Sequence, residues 1–265
     1  PMLNGIDNND RCSWDQPYIM SSGNSQVLYT ATYRVYKHTG GTMTGMWNTI
    51  SGDLTEGVND KFHVITTLCE SPVNNNNLYS GSSDGLVHRS TDGGSTWQDV
   101  TGALPDRYVT CVKASPTLAN RIFVAHSGYK DNEFIPHIHV SDNNGDNWTD
   151  ISGNMPQIAI NDIYIPAGYS DQVIFTATDA GVYFTEHGGT NWDRVGNNMP
   201  VLPVYDIECD TDNNYLIAGT YGRSMMSIDI DSVLSVTSLP NLSINEFEDI
   251  LIYPTITNDK ITIKL

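Results

Sequence analysis

Basic residues are scarce in this chain of 265 residues: 13 Lys and Arg stand against 31 Asp and Glu, a formal net charge of −18. A surface of that sign repels phosphate backbones and anionic lipid headgroups, which excludes nucleic acid as a partner and disfavours anionic membranes. Charge of either sign is low at 17%, so solubility must come from Asn, Gly, Ser and Thr. No run approaches the roughly 18 apolar residues that a membrane span requires. The start carries no basic-then-apolar signal segment, and Pro1-Met2-Leu3-Asn4 lacks an initiator, so we expect a processed or trimmed piece of something longer. Four cysteines (Cys12, Cys69, Cys111, Cys209) are too few for a disulfide scaffold. Helical periodicity is missing as well.

What the chain does have is an internal repeat, marked by tryptophan. Trp47, Trp97, Trp148 and Trp192 lie 50, 51 and 44 residues apart. Three of them close similar octets: Ser90-Thr91-Asp92-Gly93-Gly94-Ser95-Thr96-Trp97, Ser141-Asp142-Asn143-Asn144-Gly145-Asp146-Asn147-Trp148, and Thr185-Glu186-His187-Gly188-Gly189-Thr190-Asn191-Trp192. A decayed copy, Lys37-His38-Thr39-Gly40-Gly41-Thr42, precedes Trp47. After each Trp come a short strand and a Gly-x-Leu/Met-like turn, as in Val100-Thr101-Gly102-Ala103-Leu104-Pro105. Three β-branched runs then lead back to the next octet, for example Val109-Thr110-Cys111-Val112 and Ile122-Phe123-Val124-Ala125.

Four short strands per repeat, split by Gly, Asn and Pro turns, describe an all-β fold: a β-propeller of four-stranded blades, present in part. The octet reads as a structural turn. Its Ser/Thr and Asp can bond turn amides, its Gly can take positive φ, and its Trp packs the hairpin onto the blade. We expect three full blades, a degenerate first one, and a last blade whose outermost strand comes from elsewhere.

The pattern Ser-x-Asp-x-Gly-x-Thr-Trp resembles the Asp-box, or bacterial neuraminidase repeat. Ser90, Asp92, Gly94 and Trp97 match it fully; Ser141, Asn143, Gly145 and Trp148 replace the Asp by Asn; Thr185, His187, Gly189 and Trp192 replace it by His. Such blades occur in sialidases, xyloglucan-cleaving glycoside hydrolases and sortilin-type receptors, where the box lies at the blade periphery. Pro136-His137-Ile138-His139-Val140-Ser141, Ala177-Thr178-Asp179-Ala180-Gly181-Val182-Tyr183 and Ala218-Gly219-Thr220-Tyr221-Gly222-Arg223-Ser224 also resemble secreted bacterial sortilin-like or glycosyl-hydrolase-like repeat proteins. The resemblance covers about residues 12–231 and implies fold; activity does not follow from fold.

Residues 1–232 are thus assigned to the propeller, 233–243 to a linker, and 244–265 to a second unit. The segment Ile250-Leu251-Ile252-Tyr253-Pro254-Thr255-Ile256-Thr257-Asn258-Asp259-Lys260-Ile261-Thr262-Ile263 resembles the opening strands of the β-sandwich sorting domain of type IX secretion, with Tyr253, Pro254, Asn258, Asp259 and Lys260 at its turn. Thr255 and Ile256 depart from its usual Asn-Pro. That resemblance implies a Bacteroidota source, export across the outer membrane to the cell surface or medium, and an outer-membrane shuttle protein as partner.

Catalytic sets are hard to find. Seven arginines (Arg11, Arg34, Arg89, Arg107, Arg121, Arg194, Arg223) include none in the Phe/Tyr-Arg-Ile-Pro context of sialidases. A glycosidase needs two facing carboxylates; Asp84 and Asp179 sit in corresponding loops of different blades, and an Asp beside a turn Gly is ordinary hairpin chemistry. His137 and His139 alternate on one strand near His126, without a carboxylate or Cys to complete a metal shell. The loop Gly128 to Phe134, inserted only in that blade, is the candidate for specific contact through Tyr129, Phe134, His137 and His139. Arg223 follows a Gly and is read as ending the last inner strand, as a turn anchor or, alternatively, an anion contact lining the axis. Cys69, Cys111 and Cys209 fall on inner strands, as buried small residues.

The function expected is that of a secreted or surface β-propeller exported by the type IX system, a non-catalytic module for an extracellular glycan or protein. The alternative is a glycoside hydrolase of the Asp-box group. Neither a cofactor nor a metal set is recognised.

Overall fold

The computed structural model describes residues 4–40, 45–58, 62–196, 199–237, 250–252 and 261–263. Five antiparallel sheets follow one another. The first blade contains β1 (Tyr18–Met20), β2 (Val27–Ala31), β3 (Val35–Thr39) and β4 (Trp47–Thr49). The second holds β5 (Ile65–Glu70), β6 (Leu78–Ser82), β7 (Val87–Ser90) and β8 (Gln98–Asp99). Next come β9 (Tyr108–Ala114), β10 (Ile122–Ser127), β11 (His137–Ser141) and β12 (Thr149–Asp150), then β13 (Ile160–Tyr164), β14 (Ile174–Thr178), β15 (Gly181–Thr185) and β16 (Asp193–Arg194). The fifth sheet has three strands, β17 (Val204–Asp210), β18 (Tyr215–Thr220) and β19 (Met225–Asp229). Within each sheet the strands pair in chain order, so every blade is a simple meander. This is the β-propeller architecture expected.

Burial runs radially. The second strands β6, β10 and β14 are apolar or small at nearly every position and buried on both faces, because a blade packs on either side. The outer strands β8 and β12 are exposed and polar. Four apolar clusters fill the four spaces between neighbouring blades. One brings Phe123, Ala125 and Ile138 of the third blade against Ile160, Ile163 and Ile174 of the fourth.

Two repeated side-chain bonds stitch the blades. Backwards, each octet Trp donates its indole N–H to the carbonyl just after the previous blade's outer strand: Trp97 to Ile50 at 2.9 Å, Trp148 to Val100 at 2.8 Å, Trp192 to Ile151 at 2.9 Å. Forwards, the inner strands β5, β9, β13 and β17 each carry a bulge at the same register, at Thr66, Thr110, Asn161 and Tyr205. The first three reach the next blade's inner strand: the Thr66 hydroxyl donates to Val109 O at 2.5 Å, Thr110 to Ile160 O at 2.9 Å, and the Asn161 amide to Val204 O at 2.8 Å.

The octets close their own turns by graded means. Ser90 Oγ accepts the Gly94 amide at 2.9 Å, while Asp92 accepts the Thr96 amide at 2.8 Å and its hydroxyl at 2.7 Å. The Thr96 and Ser90 bonds hold the Asp92 carboxyl down at about 2. Asn143 repeats the amide half, accepting from Asn147 at 3.0 Å. In the third octet Thr185 Oγ1 accepts the Gly189 amide at 3.2 Å, and the His187 carbonyl, not its ring, takes the Thr190 hydroxyl. Gly94 has φ +95°, and a Cβ there would sit 2.5 Å from Ile50 Cδ1, so the turn touches the previous blade through a residue without a side chain.

Two expectations change. The first blade is not degenerate in strands: all four form, the decayed copy begins inside β3, and Trp47 opens β4 instead of preceding it. The assigned linker also begins too early. Residues Ile230–Thr237 form helix α1, which buries Ile230, Val233 and Leu234 in the last apolar cluster. A short antiparallel pair, β20 (Ile250–Ile252) with β21 (Ile261–Ile263), follows. Tyr253, Pro254, Asn258, Asp259 and Lys260 lie outside the described residues.

Trp192 is 3% exposed and its indole bond is buried. Replacing it by Phe leaves the Ile151 carbonyl without that donor and should cost about 1–3 kcal/mol in urea unfolding. An unchanged midpoint would remove the backward stitch as a stabilising element.

Candidate functional site

Because each blade is a meander, the second-to-third strand turns and the connections between blades gather at one end of the propeller, here called the turn end. The inner strands line the axis. Candidate chemistry lies in both places.

At the turn end, one residue type recurs where the second strand pairs with the first residue of the inner strand. Ser82, Thr178 and Thr220 occupy this place, opposite Ile65, Ile160 and Val204. Their hydroxyls close the turns on Leu86 O at 3.1 Å, Gly181 O at 2.8 Å and Ser224 O at 2.7 Å. In the third blade the equivalent residue is His126, opposite Val109. Its turn has grown into the 128–136 loop, so no carbonyl is left to close on. Both His126 ring nitrogens are buried without a partner, and the ring lies 6.0 Å from that of His139. Burial, reinforced by His139 and His137, pulls the His126 imidazole down to about 3.

The enlarged loop is braced at its base. Arg107 Nε lies 2.8 Å from Glu133 Oε2, and His137 Nε2 lies 3.1 Å from the same oxygen. Burial would raise the Glu133 carboxyl, but the His137 and Arg107 bonds outweigh it and hold it below its usual range. Lys130 stands 4.2 Å above the Tyr108 ring. The loop presents Tyr129 and Phe134, 66% and 44% exposed, edge to face at 6.3 Å. Thus Tyr129 and Phe134 pair at the loop surface, while His137 bonds Glu133 at its base. His139 does not join them; it packs beside His126.

Asp84 and Asp179 share a type of turn but not a position in it. The Ser83 amide donates to Val64 O and the Asp179 amide to Ala159 O, so Asp179 matches Ser83. Asp179 accepts from the Asn161 amide at 3.0 Å. Asp84 lies one residue further on, in a longer turn, and accepts the Glu56 amide at 2.6 Å from the connection between the first two blades. Arg223 is exposed in the β18–β19 turn, not on an inner strand, so it does not line the axis. Tyr205 and Tyr221 pair nearby at 6.1 Å, but Tyr205 holds the bulge position that reaches a next blade in three other sheets, so its exposure does not mark a ligand surface.

Along the axis, a cavity of about 360 Å³ is lined by residues including Lys113, Asp162, Asp206 and Glu208. Lys113 Nζ lies 3.3 Å from Glu208 Oε1. Burial depresses the ammonium, but Cys111, Asp162 and Glu208 together win and leave it raised. Asp162 is pushed up by burial, with Lys113 opposing. Its two oxygens accept the Ile163 and Ile207 amides at 2.8 and 3.1 Å. A carboxyl raised by burial is what general acid chemistry uses; here it is also anchored to backbone on both oxygens. Sequence reading passed over Lys113, a single charge in an apolar run, and Asp162, which follows Asn161 on a short strand with no motif around it. Cys69, Cys111 and Cys209 are on inner strands as expected, and all four cysteines are free.

The sequence matches no protein-family model and no curated protein. The fold is similar to solved GH74 structures. An ancestral GH74 enzyme shares 17% identity over 83% of this chain and 29% of its own, with a TM-score of 0.59. The Niastella koreensis GH74 enzyme shares 14% over 88% and 38%, at 0.63. The GH74 xyloglucanase from Xanthomonas campestris shares 14% over 83% and 37%, at 0.60. This chain therefore spans about a third of the length of each, and the likeness establishes the fold.

His126 gives a measurable signature. Its imidazole is depressed in the fold, so the unfolded chain binds the extra proton between about pH 6.5 and about 3. The stabilisation from keeping it neutral is complete above about pH 6.5 and is lost as pH falls through that window. His126→Phe should shift the acid-unfolding midpoint to lower pH by about half a unit. A midpoint that stays put would separate His126 from acid sensitivity.

Proposed function

We propose that this chain is an extracellular polysaccharide-binding propeller without catalysis of its own, and that it binds through the 128–136 loop of the third blade. The observation that carries this reading is the exposed Tyr129–Phe134 pair on the one enlarged turn among the described blades, held at its base by Arg107, Glu133 and His137. Aromatic rings offer apolar faces to sugar C–H groups, and a braced loop loses little freedom on binding. The net charge of −18 favours a neutral polysaccharide over an acidic one. The three octets are read as Asp-boxes with a structural role, consistent with bonds that run into their own turn, the adjacent turn of the same blade or the previous blade.

A second reading, a glycoside hydrolase, is favoured by the likeness to GH74 enzymes and by the raised Asp162 carboxyl in the axial cavity. Against it stand the Ile163 and Ile207 amides and Lys113, which occupy the carboxylates that would do the work.

Incubation with xyloglucan, other neutral glucans and sialoglycans separates the two. Retention on a neutral glycan without released oligosaccharide is expected, and Tyr129→Ala or Phe134→Ala should each weaken it about tenfold. Oligosaccharide release abolished by Asp162→Asn would replace the binding reading by the hydrolase. Failure to bind any glycan would leave the loop to a protein ligand.

Export by the type IX route, with an outer-membrane shuttle protein as partner and the cell surface or medium as destination, rests on the resemblance of residues 250–263. Removing residues 245 onward should leave the protein in the periplasm. Unchanged export would end that assignment.

A further inference from the structure

We infer that Glu56, His63 and Asp84 form a binding site for a divalent first-row transition metal, Zn²⁺ being the natural probe, between the first and second blades. The site is separate from the loop assigned to glycan binding and does not depend on it.

Each of the three residues comes from a different part of the turn end. Glu56 lies in the connection leaving β4, His63 just before β5, and Asp84 in the β6–β7 turn. One ligand atom from each, an imidazole nitrogen and two carboxylate oxygens, lies within 4.8 Å of both others. His63 Nδ1 and Asp84 Oδ2 are 3.8 Å apart. Atoms bound to one Zn²⁺ at about 2.0–2.2 Å lie about 3.3–4.4 Å from each other, so only small side-chain adjustment is needed.

The second observation concerns Asp84 itself. Its side chain is 3% exposed, and its Oδ1 is buried with no hydrogen-bond partner. A carboxylate oxygen left so is costly unless a cation or donor meets it. The turn does not need this side chain: the Ser82 hydroxyl closes on Leu86 O, the Gly85 amide closes on Ser82 O at 3.2 Å, and Ser83 takes the Val64 amide. Asp84 instead leans out of its own turn toward the neighbouring connection, where the Glu56 amide meets Oδ2. Arg11 bonds Asp53 Oδ2 at 2.7 Å, Thr55 Oγ1 at 3.1 Å and the His63 carbonyl at 3.1 Å, which fixes the His63 backbone.

One nitrogen and two carboxylates suit Zn²⁺, Mn²⁺ or Fe²⁺, with water in the remaining positions. Ca²⁺, which collects six to eight oxygens, is a poor match. A bound ion would tie the inter-blade connection to the second blade's turn, adding a third stitch where Asp84 already reaches the Glu56 amide.

The test is calorimetric titration of metal-stripped protein with Zn²⁺ and Ca²⁺, followed by the Co²⁺ visible spectrum. One equivalent of Zn²⁺ is expected, with affinity at least about tenfold above that for Ca²⁺. Co²⁺ should give absorption bands that Zn²⁺ displaces. Asp84→Asn and His63→Gln should each weaken Zn²⁺ binding about tenfold or more at unchanged circular dichroism, and Asp179→Asn should not. Should the buried variants fail to fold, Glu56→Gln, on an exposed residue, must still weaken binding. Absent saturable Zn²⁺ binding, binding unaltered by Asp84→Asn or Glu56→Gln, or equal preference for Ca²⁺ would overturn the site.

Discussion

The middle blades of this chain are apolar on both faces, and no such sheet can stay in water alone. Stacking against a neighbour is therefore the constraint from which the rest follows. It explains why the second strands are almost uninterrupted apolar or small residues while the outer strands β8, β12 and β16 are two polar residues long. Apolar contact alone would let blades slide, because it has no direction. Register comes from the two directed bonds, the indole reaching back to the carbonyl after the outer strand and the bulged inner-strand residue reaching forward. Between them the second and third blades, and the third and fourth, are joined both at the rim and at the axis.

A scaffold repeated so regularly makes departures from it informative. A Ser or Thr closes the turn in three blades; where His126 replaces it, the turn has opened into the loop that displays Tyr129 and Phe134. The buried, unpartnered imidazole is the cost of that enlargement. Asp84 is a second departure, a residue whose carboxylate serves the neighbouring connection and not its own turn. Both departures lie at the turn end, where changing one loop leaves the strands untouched.

Much of this was legible in the sequence. Tryptophan spacing and the octets give the blade period, and the β-branched runs give the strands, because both reflect local rules repeated down the chain. Errors arose where local pattern met a shift of a single residue. Asp84 and Asp179 look alike as Asp near Gly, yet backbone bonds pair Asp179 with Ser83. Arg223 was read as ending an inner strand because a Gly-rich turn leaves strand order ambiguous. Residues 233–237 look like linker by composition, but Val233 and Leu234 face an apolar cluster and close a helix onto it. The grouping of Glu56, His63 and Asp84 had no sequence signal, since the β4–β5 connection and the β6–β7 turn must both fold before the atoms meet.

The stitches share one property: every acceptor is a main-chain carbonyl, at Ile50, Val100 and Ile151 on the rim and at Val109, Ile160 and Val204 by the axis. A carbonyl is present whatever side chain its residue carries. Half of each joint is therefore indifferent to substitution, and a blade can drift, duplicate or be exchanged without its neighbours having to change in step. Joints of that kind let sequence turn over almost completely while the geometry of assembly persists.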